Sequence, residues 1–413
     1  MSLGPQFTKV WAASTISALG DGVTVVAMAL LVASLTDSPL VVSGAVFAAA
    51  LPWLLFSLLS GGLVDRLDRR RVMIAVDTVR GIAIGILGFA IAVDRASVPL
   101  VYAVAFLLGT GETLYRTAMT SIVPAVVPVD LLERANGRLS AARTLFHDMI
   151  AGPLGGLLFA AAAAAPFLLD AGSFAVGVVL LYLLRGTFRA DPPVDPVTTR
   201  RSLRAEIVDG ARWLLRHRLL RTMAVLIGLL NVTLTAALSI LVLLAKQRLG
   251  LGSVGYGLLF TALAVGGLVG SVIGEWLIRR FTASVTLRVG LLIETGFHLT
   301  IALSTSPIAV GAAFAVFGVH GALWMIVSTS LRQRLTPPSL MGRVTSAYLF
   351  LGAGGNAIGA LLGGLVAARF GLTAPYWIGF VVAAVVTAAT WRVFDRKTMV
   401  AAVQPPEVAA GVG

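Results

Sequence analysis

The sequence contains no cysteine among its 413 residues, and only 12% of its residues are charged. The absence of cysteine excludes a disulfide framework, a thiolate nucleophile and a metal centre ligated by cysteine. The scarcity of charge excludes an ordinary soluble protein, in which about a quarter of the residues are charged. Hydrophobic residues make up 58% of the chain, and no soluble core of this size could bury them. We therefore expect the chain to lie in a lipid bilayer.

Motifs that carry enzymatic chemistry are also missing. The sequence has no P-loop of the form G-x-x-x-x-G-K-[ST], no H-E-x-x-H motif and no visible Ser-His-Asp arrangement. The four histidines lie far apart in the chain and show no metal-ligand spacing. We therefore predict a protein that is not an enzyme, that holds no cofactor or metal, and that does not use ATP directly.

Long apolar segments recur along the whole chain. A helix that spans a bilayer needs about 20 mostly apolar residues, and about twelve segments meet that criterion. The predicted fold class is an all-α membrane protein with twelve transmembrane helices in two pseudo-symmetric six-helix bundles around a central cavity. The predicted spans cover residues 11–35, 41–64, 72–93, 98–120, 138–161, 166–184, 221–245, 254–278, 285–304, 308–331, 343–368 and 375–393.

Lysine and arginine are distributed unevenly between the two sides of these spans. Three arginines lie inside spans away from their ends, and four basic residues lie on one side. The remaining 25 of the 32 lie on the other side or at the span ends that face it. The positive-inside rule assigns the richer side, with both termini, to the cytoplasm. This distribution also accounts for the net charge of +13 without nucleic acid as a partner.

The polar segments predict the domain boundaries. Residues 1–184 form an N-terminal six-helix bundle, and residues 220–399 form a C-terminal one. Residues 185–219 form a cytoplasmic linker that carries an amphipathic helix over 203–218 at the membrane surface. Residues 400–413 are predicted to be disordered. The halves share short patterns, which is typical of transporters that move one half against the other.

An arginine-rich turn follows the second span, with the sequence Gly61-Gly62-Leu63-Val64-Asp65-Arg66-Leu67-Asp68-Arg69-Arg70-Arg71. Small residues let helices approach closely, and arginines hold such a turn in the cytoplasm. A carboxylate here can also contact the N-terminus of the eleventh span, where the helix dipole favours its charge. The alternative is that the arginines only set the topology. The predicted cytoplasmic gate consists of Asp65, Arg66, Arg69, Arg70, Asp77, Arg80 and Arg343.

Ionisable residues also lie inside the predicted spans, where a charge costs about 2.5–3.5 kcal/mol on insertion scales. Two pairs have the i, i+4 spacing that places both members on one helix face. The alternative for each residue is a fixed contact between helices that only specifies packing, and for His320 we expect only a hydrogen bond. The residues predicted to form a proton-coupling site or substrate cavity are Asp21, Glu112, Arg116, Glu294 and His298.

The fifth span combines charge with small residues. Its first half carries a candidate proton relay, which could equally be a structural cluster: Arg143, His147 and Asp148. Its second half carries a predicted helix-packing motif, Gly152, Pro153, Gly155 and Gly156.

The chain resembles the major facilitator superfamily. The turn after the second span resembles the G-x-L-x-D-R-x-G-R-[RK] signature of that family. Four segments resemble one bacterial branch of the family, which contains the enterobactin exporter and related drug-efflux proteins. These segments are Leu132–Gly137, Pro166–Phe174, Leu203–Arg221 and Leu331–Val344.

This resemblance implies export by alternating access, proton coupling at Arg116, and an outward-open state latched by Asp65. Two departures stand out. Asp68 replaces the glycine of the signature, so the turn is expected to be shaped differently. In the fifth span one residue, rather than two, separates Gly152-Pro153 from Gly155-Gly156, which weakens the inference of antiport.

The predicted function is proton-coupled efflux, by antiport, of lipophilic drugs or related small molecules, neutral or cationic. The transporter is predicted to be a multi-pass monomer in the bacterial cytoplasmic membrane, with protons, lipid and its substrate as partners. The alternatives are a dedicated exporter of one metabolite, such as a siderophore, and a lysolipid flippase. A membrane-embedded enzyme lacks clustered catalytic groups here, and a scaffold needs no ionisable residues at bilayer depth.

Overall fold

The computed structural model describes residues 3–64, 67–186, 188, 203–337, 340–395 and 399, without the side chains of 57–64 and 203–208. The gate residues Asp65 and Arg66, most of the linker before residue 203 and the tail at 400–413 therefore lie outside the described residues.

Every regular element in these described ranges is a helix. Ten helical segments there are long and apolar enough to cross a membrane, which confirms the prediction of an all-helical membrane protein. The helices are α1 (Gly4–Leu35), α2 (Pro39–Val64), α3 (Arg69–Ala92), α4 (Val98–Val126), α5 (Leu132–Arg143), α6 (Ala151–Ala161), α7 (Ala165–Tyr182), α8 (Leu203–Arg216), α9 (Arg218–Ser239), α10 (Leu241–Gln247), α11 (Ser253–Leu303), α12 (Pro307–Leu335), α13 (Met341–Phe370) and α14 (Ala374–Thr390).

Two elements bear on the number of spans. Helix α11 runs for 51 residues but is interrupted at Thr282, whose φ of 70° is not helical. The spans predicted at 254–278 and 285–304 lie on either side of that residue. Helix α14 has 17 residues, slightly fewer than the length that usually spans a bilayer. The arrangement of twelve spans in two bundles stays a prediction.

The predicted fifth span is longer and less regular than its sequence indicates. It begins with a short 3₁₀ turn at Val129–Leu131 and continues as α5. A seven-residue π-helical segment, Thr144–Ile150, then joins α5 to α6. Arg143 and His147 are four residues apart in sequence, and the wider π winding disrupts the regular α-helical relation between them.

The structure divides into two compact units, and each unit combines two separate stretches of the chain. Unit 1 contains Met1–Val194 and Leu238–Thr261, and unit 2 contains Asp195–Ala237 and Ala262–Gly413. In unit 1, α1 packs against α7 and α6, and α3 packs against α4 and α7. The core of unit 2 collects apolar side chains from α8, α9, α11, α12, α13 and α14.

Large apolar side chains are exposed along many of the helices, for example Ile82, Phe89, Val272 and Val381. A soluble protein rarely exposes so many, whereas hydrocarbon solvates them well. Helix α8 differs from these spans. It packs against α13, with Gly210 close to the backbone of Arg343 and with Leu214 buried. Helix α8 therefore lies where the amphipathic helix is predicted, and α13 covers part of it. Its position at the membrane surface stays a prediction.

Candidate functional site

A cavity of about 460 Å³ opens within unit 1. Its volume falls in the range of small-molecule binding sites, about 300–1,000 Å³. Most of its wall is apolar, with Met28, Val46, Trp53, Leu108 and Phe260 among the lining side chains. The acidic, basic and imidazole side chains that line it are Asp21, Arg80, Glu112, Arg116, Arg143 and His147.

Arg80 connects the acidic residues of this wall. The side chain is 3% exposed, and its Nη2 atom lies 2.5 Å from Asp21 Oδ1. Its Nη1 atom lies 3.5 Å from Glu112 Oε2 and 3.9 Å from Asp77 Oδ1. One guanidinium therefore faces three carboxylates, and protonation of any one of them changes how its charge is shared.

Glu112 joins Arg80 to a second arginine. Arg116 Nε donates a hydrogen bond of 2.7 Å to Glu112 Oε1, as the i, i+4 spacing predicts. The Arg116 guanidinium also lies 5.5 Å from the centre of the Trp53 ring, within the range of a cation–π contact. Arg116 is 44% exposed, so it can contact a bound molecule without leaving Glu112.

Asp77 and Asp170 lie behind this wall and are fully buried. Neither oxygen of Asp77 has a hydrogen-bond partner among the described residues. Asp170 accepts hydrogen bonds of 2.6 Å from Thr24 and 2.9 Å from Ser173. Sequence reasoning missed Asp170 as a site residue. A carboxylate in an apolar span is the same signal that identified Asp21, and it was available at position 170.

Arg143, at the end of α5, and His147, in the π-helical segment, line the cavity. His147 Nδ1 lies 2.8 Å from Asp148 Oδ1, so the histidine pairs with its neighbour in sequence. No carboxylate of the described residues forms an ion pair with Arg143. Asp148 is absent from the lining of the cavity, and the structure brings only two members of the predicted relay to it.

The packing motif at the start of α6 faces two different helices. A Cβ at Gly152 would lie 2.6 Å from the carbonyl oxygen of Gly257, and a Cβ at Gly156 would overlap the backbone of Ser253. A Cβ at Gly155 would lie 2.8 Å from the carbonyl oxygen of Val23 in α1. Only glycine allows these backbones to approach so closely.

The arginine-rich turn is held by local contacts where it is described. Asp68 caps the N-terminus of α3 by accepting a hydrogen bond of 3.0 Å from the Arg71 backbone, which gives the non-glycine residue of the signature a role. Arg70 donates to the carbonyl oxygens of Leu181 and Tyr182 at the end of α7.

Of the other predicted gate residues that the structure describes, Arg69 lies in this turn and the rest lie outside it. The amide nitrogen of Arg69 donates a hydrogen bond of 3.2 Å to the carbonyl oxygen of Phe188. Arg80 lies in the charged wall of the cavity, and Asp77 lies behind that wall, 3.9 Å from Arg80 Nη1. Arg343 lies near Gly210 in unit 2.

Glu294 and His298 form a separate cluster in unit 2, and neither lines the cavity of unit 1. His298 Nε2 lies 3.6 Å from Glu294 Oε1, and His320 Nε2 lies 3.5 Å from Glu294 Oε2. The three residues are buried. The spacing in sequence predicted the first contact, and only the fold brings His320 to the same carboxylate.

Comparison with known proteins agrees with this architecture. Residues 4–410 match the family described as transmembrane secretion effector. The enterobactin exporter EntS of Salmonella choleraesuis is 26% identical over 369 residues, which cover 87% of this chain and 86% of that protein. The multidrug efflux pump Tap of Mycolicibacterium fortuitum is 28% identical over 386 residues, covering 90% and 91%.

Two solved structures have a similar fold. The nucleoside transporter NupG superposes with a TM-score of 0.77 at 12% identity, covering 94% of this chain and 100% of that one. A bacterial homologue of the iron transporter ferroportin, in an inward-facing state, gives a TM-score of 0.76 at 17% identity, covering 96% and 100%. The chain therefore belongs to the transmembrane secretion effector family of the major facilitator superfamily, and it is a multi-pass membrane transporter and not an enzyme.

Proposed function

We propose that this transporter exports lipophilic small molecules across the bacterial cytoplasmic membrane in exchange for protons. The proposal includes twelve spans in two six-helix bundles, with boundaries near residues 184 and 220 and with both termini in the cytoplasm. Alternating access requires these bundles to move against each other around a site reached from either side. The chain acts as a monomer in this proposal.

The observation that carries the proposal is the charged network on one wall of an otherwise apolar cavity. Apolar and aromatic side chains bind a lipophilic molecule with little demand for a specific shape. Asp21 and Glu112 line the same cavity and share Arg80. A proton on either carboxylate and a substrate in the cavity both act on that shared guanidinium, and this competition is a physical basis for exchange.

In this proposal Asp21 and Glu112 carry the protons. The positive charges of Arg80 and Arg116 favour the ionised form of the two carboxylates and so promote release of the protons. Buried ion pairs of this kind often stabilise a protein less than two apolar side chains would, because both charges must be desolvated. Their persistence in a membrane span therefore favours a functional role.

A second candidate function is the dedicated export of one acidic metabolite, such as a siderophore. The lining of the cavity contains two carboxylates and three arginines. Among these arginines, Arg143 forms no ion pair with a carboxylate of the described residues. An anionic group on the substrate would fit there, and the similarity to an enterobactin exporter supports this candidate.

The decisive test is transport into everted membrane vesicles that contain the full chain, with cationic, neutral and anionic lipophilic dyes. A proton gradient should drive accumulation, and a protonophore should abolish it. Asp21→Asn and Glu112→Gln each remove a charge-assisted contact worth about 1.5–3 kcal/mol, so we expect the gradient-driven rate to fall about 10–100-fold. Asp130→Asn, an amide replacement at an exposed loop position, is the matched control.

The outcomes separate the candidates. Accumulation that continues after collapse of every ion gradient would contradict antiport. If both cavity variants transport at the wild-type rate, these carboxylates take no part in proton coupling. Preference for anionic dyes that Arg143→Gln abolishes would favour the dedicated exporter, and preference for cationic dyes that Arg143→Gln leaves unchanged would favour drug efflux.

A further inference from the structure

Glu294, His298 and His320 form a buried cluster in unit 2 that the cavity mechanism does not use. Glu294 and His298 lie one turn apart on α11, and His320 comes from α12. Both imidazole Nε2 atoms point to the one carboxylate, at 3.6 Å and 3.5 Å. The side chains are 4%, 0% and 6% exposed, respectively. Two consecutive helices therefore bring three titratable groups together in a buried place.

The backbone around the cluster makes room for both rings. A Cβ at Gly379 of α14 would lie 2.5 Å from His298 Nδ1, and a Cβ at Gly290 of α11 would lie 2.5 Å from His320 Nδ1. Any larger residue at either position would push a ring away from the carboxylate. The fold thus holds each imidazole in a slot that only glycine leaves open.

An aromatic layer surrounds the cluster. Phe297 contacts the ring of His298 edge-to-face at 5.6 Å between centroids, and Phe317 contacts His320 at the same distance. The centre of the Trp324 ring lies 6.0 Å from that of His320. These rings separate the polar atoms from solvent and lower the local dielectric, which strengthens every charge interaction inside.

The two histidines are the ion-pair partners of the carboxylate. Among the described residues, only His298 and His320 lie within 4 Å of the Glu294 carboxylate as ion-pair partners. Helix α14, which contributes Gly379, contains no charged residue. Oxygen Oε1 of Glu294 and both ring nitrogens of His298 have no hydrogen-bond partner among the described residues. Neutrality must therefore be reached within the three groups themselves.

Charge balance determines what the cluster holds. With both imidazoles neutral, an ionised Glu294 leaves one negative charge, and with both imidazoles protonated the cluster carries one positive charge. Either uncompensated charge is costly in a buried site. One added proton gives a neutral carboxylate–imidazolium pair, and two rings at nearly equal distance can accept it.

We propose that Glu294, His298 and His320 form a second proton-binding site, in which one proton is shared between the two imidazoles beside the ionised carboxylate. The bound proton can exchange only when water reaches the site. It is therefore held while α11, α12 and α14 enclose the cluster. The part that the site plays in transport depends on the proposed proton coupling, whereas its existence does not.

The test is nuclear magnetic resonance of the full-length protein in lipid nanodiscs, with histidine as the only isotope-labelled residue. The chain has four histidines, so each signal can be assigned with a His→Gln variant. At pH 7 we expect His298 and His320 together to show the nitrogen shifts of one imidazolium. Either single His→Gln variant should move that signal fully to the remaining ring, and Glu294→Gln should leave both rings neutral.

Glu275→Gln is the control for loss of a carboxylate from α11, because Glu275 is 80% exposed and pairs only with the exposed Arg279 in the described residues. It should leave the histidine spectrum unchanged. Neutral rings in the wild type from pH 5 to pH 7, or an imidazolium signal that survives in Glu294→Gln, would overturn the proposal. If Glu294→Gln does not fold, the wild-type and single-histidine spectra decide alone.

Transport distinguishes this inference from the proposed function. Gradient-independent export with an imidazolium in the cluster would contradict antiport and leave the proton site intact. Gradient-driven export with two neutral rings would contradict the proton site and leave antiport intact.

Discussion

Arg80 is a buried guanidinium that compensates the acidic residues around it. Its Nη2 atom contacts Asp21, its Nη1 atom faces Glu112 and Asp77, and its guanidinium carbon lies 4.4 Å from the centre of the Phe174 ring. Removal of one partner of a buried ion pair is more harmful than removal of both, because the remaining charge has lost its compensation. The stability of unit 1 should depend strongly on this one residue.

We predict that Arg80→Leu destabilises the protein by about 3–5 kcal/mol. Adding Asp21→Asn to that variant should recover part of the loss, because fewer acidic groups are then left uncompensated. Thermal unfolding of the purified protein in detergent measures both effects. Arg138→Leu, at an exposed position of α5, should change stability by no more than about 0.5 kcal/mol. Equal melting temperatures for Arg80→Leu and Arg138→Leu would contradict the role assigned to Arg80.

Local spacing predicted some of these contacts and could not predict others. Glu112 and Arg116 are four residues apart, so helical geometry alone places them together. Asp21 and Arg80 are 59 residues apart, and Thr24 and Asp170 are 146 apart. No periodicity in a single sequence relates such positions. Sequence reasoning therefore placed Arg80 in the cytoplasmic gate, whereas the packing of α7 against both α1 and α3 brings Arg80 to Asp21.

At the level of elements, α6 is held against α11 by backbone contact. Gly152 and Gly156 are four residues apart and meet Gly257 and Ser253 on one face of α6. Close backbone approach is the main source of helix association in membranes, where lipid is as apolar as leucine. A side chain on this face must force the two helices apart.

We predict that Gly156→Ala destabilises the protein by about 1–3 kcal/mol through this overlap. Gly172→Ala is the matched control, because a Cβ there meets no atom within 4 Å. That change should be neutral or should stabilise α7 by up to about 1 kcal/mol, since alanine favours the helix over glycine. Thermal melting of the two variants tests the difference. A Gly156→Ala protein as stable as Gly172→Ala would show that α6 and α11 need no close contact.

Hydrophobic runs predicted most of the helices but not their irregularities. The end of α6 at Ala161 and the start of α7 at Ala165 agree with the turn expected there. The π-helical segment Thr144–Ile150 and the long α11 were not expected. Winding and kinks depend on what a helix packs against, and composition does not record that.

The absence of cysteine makes the topology of the whole molecule easy to test. We predict that a cysteine at Arg95, between α3 and α4, reacts with a membrane-impermeant maleimide in intact cells. A cysteine at Asp130, between α4 and α5, should react only in everted vesicles or after permeabilisation, because the positive-inside rule assigns that loop to the cytoplasm. The unmodified chain is the background control. The opposite pattern of labelling would reverse the proposed orientation.

The π-helical winding at Thr144–Ile150 has a consequence for how this segment tolerates change. Successive residues of an α-helix are turned by about 100°, and π winding accommodates a residue beyond that repeat. Helix α6 is therefore rotated about its axis relative to α5. Arg143 and His147 line the cavity, whereas Gly156 faces a neighbouring backbone. Deletion of a single amino acid here would restore regular winding and misalign one of the two faces. Substitutions in this stretch should therefore be accepted far more readily than changes in its length.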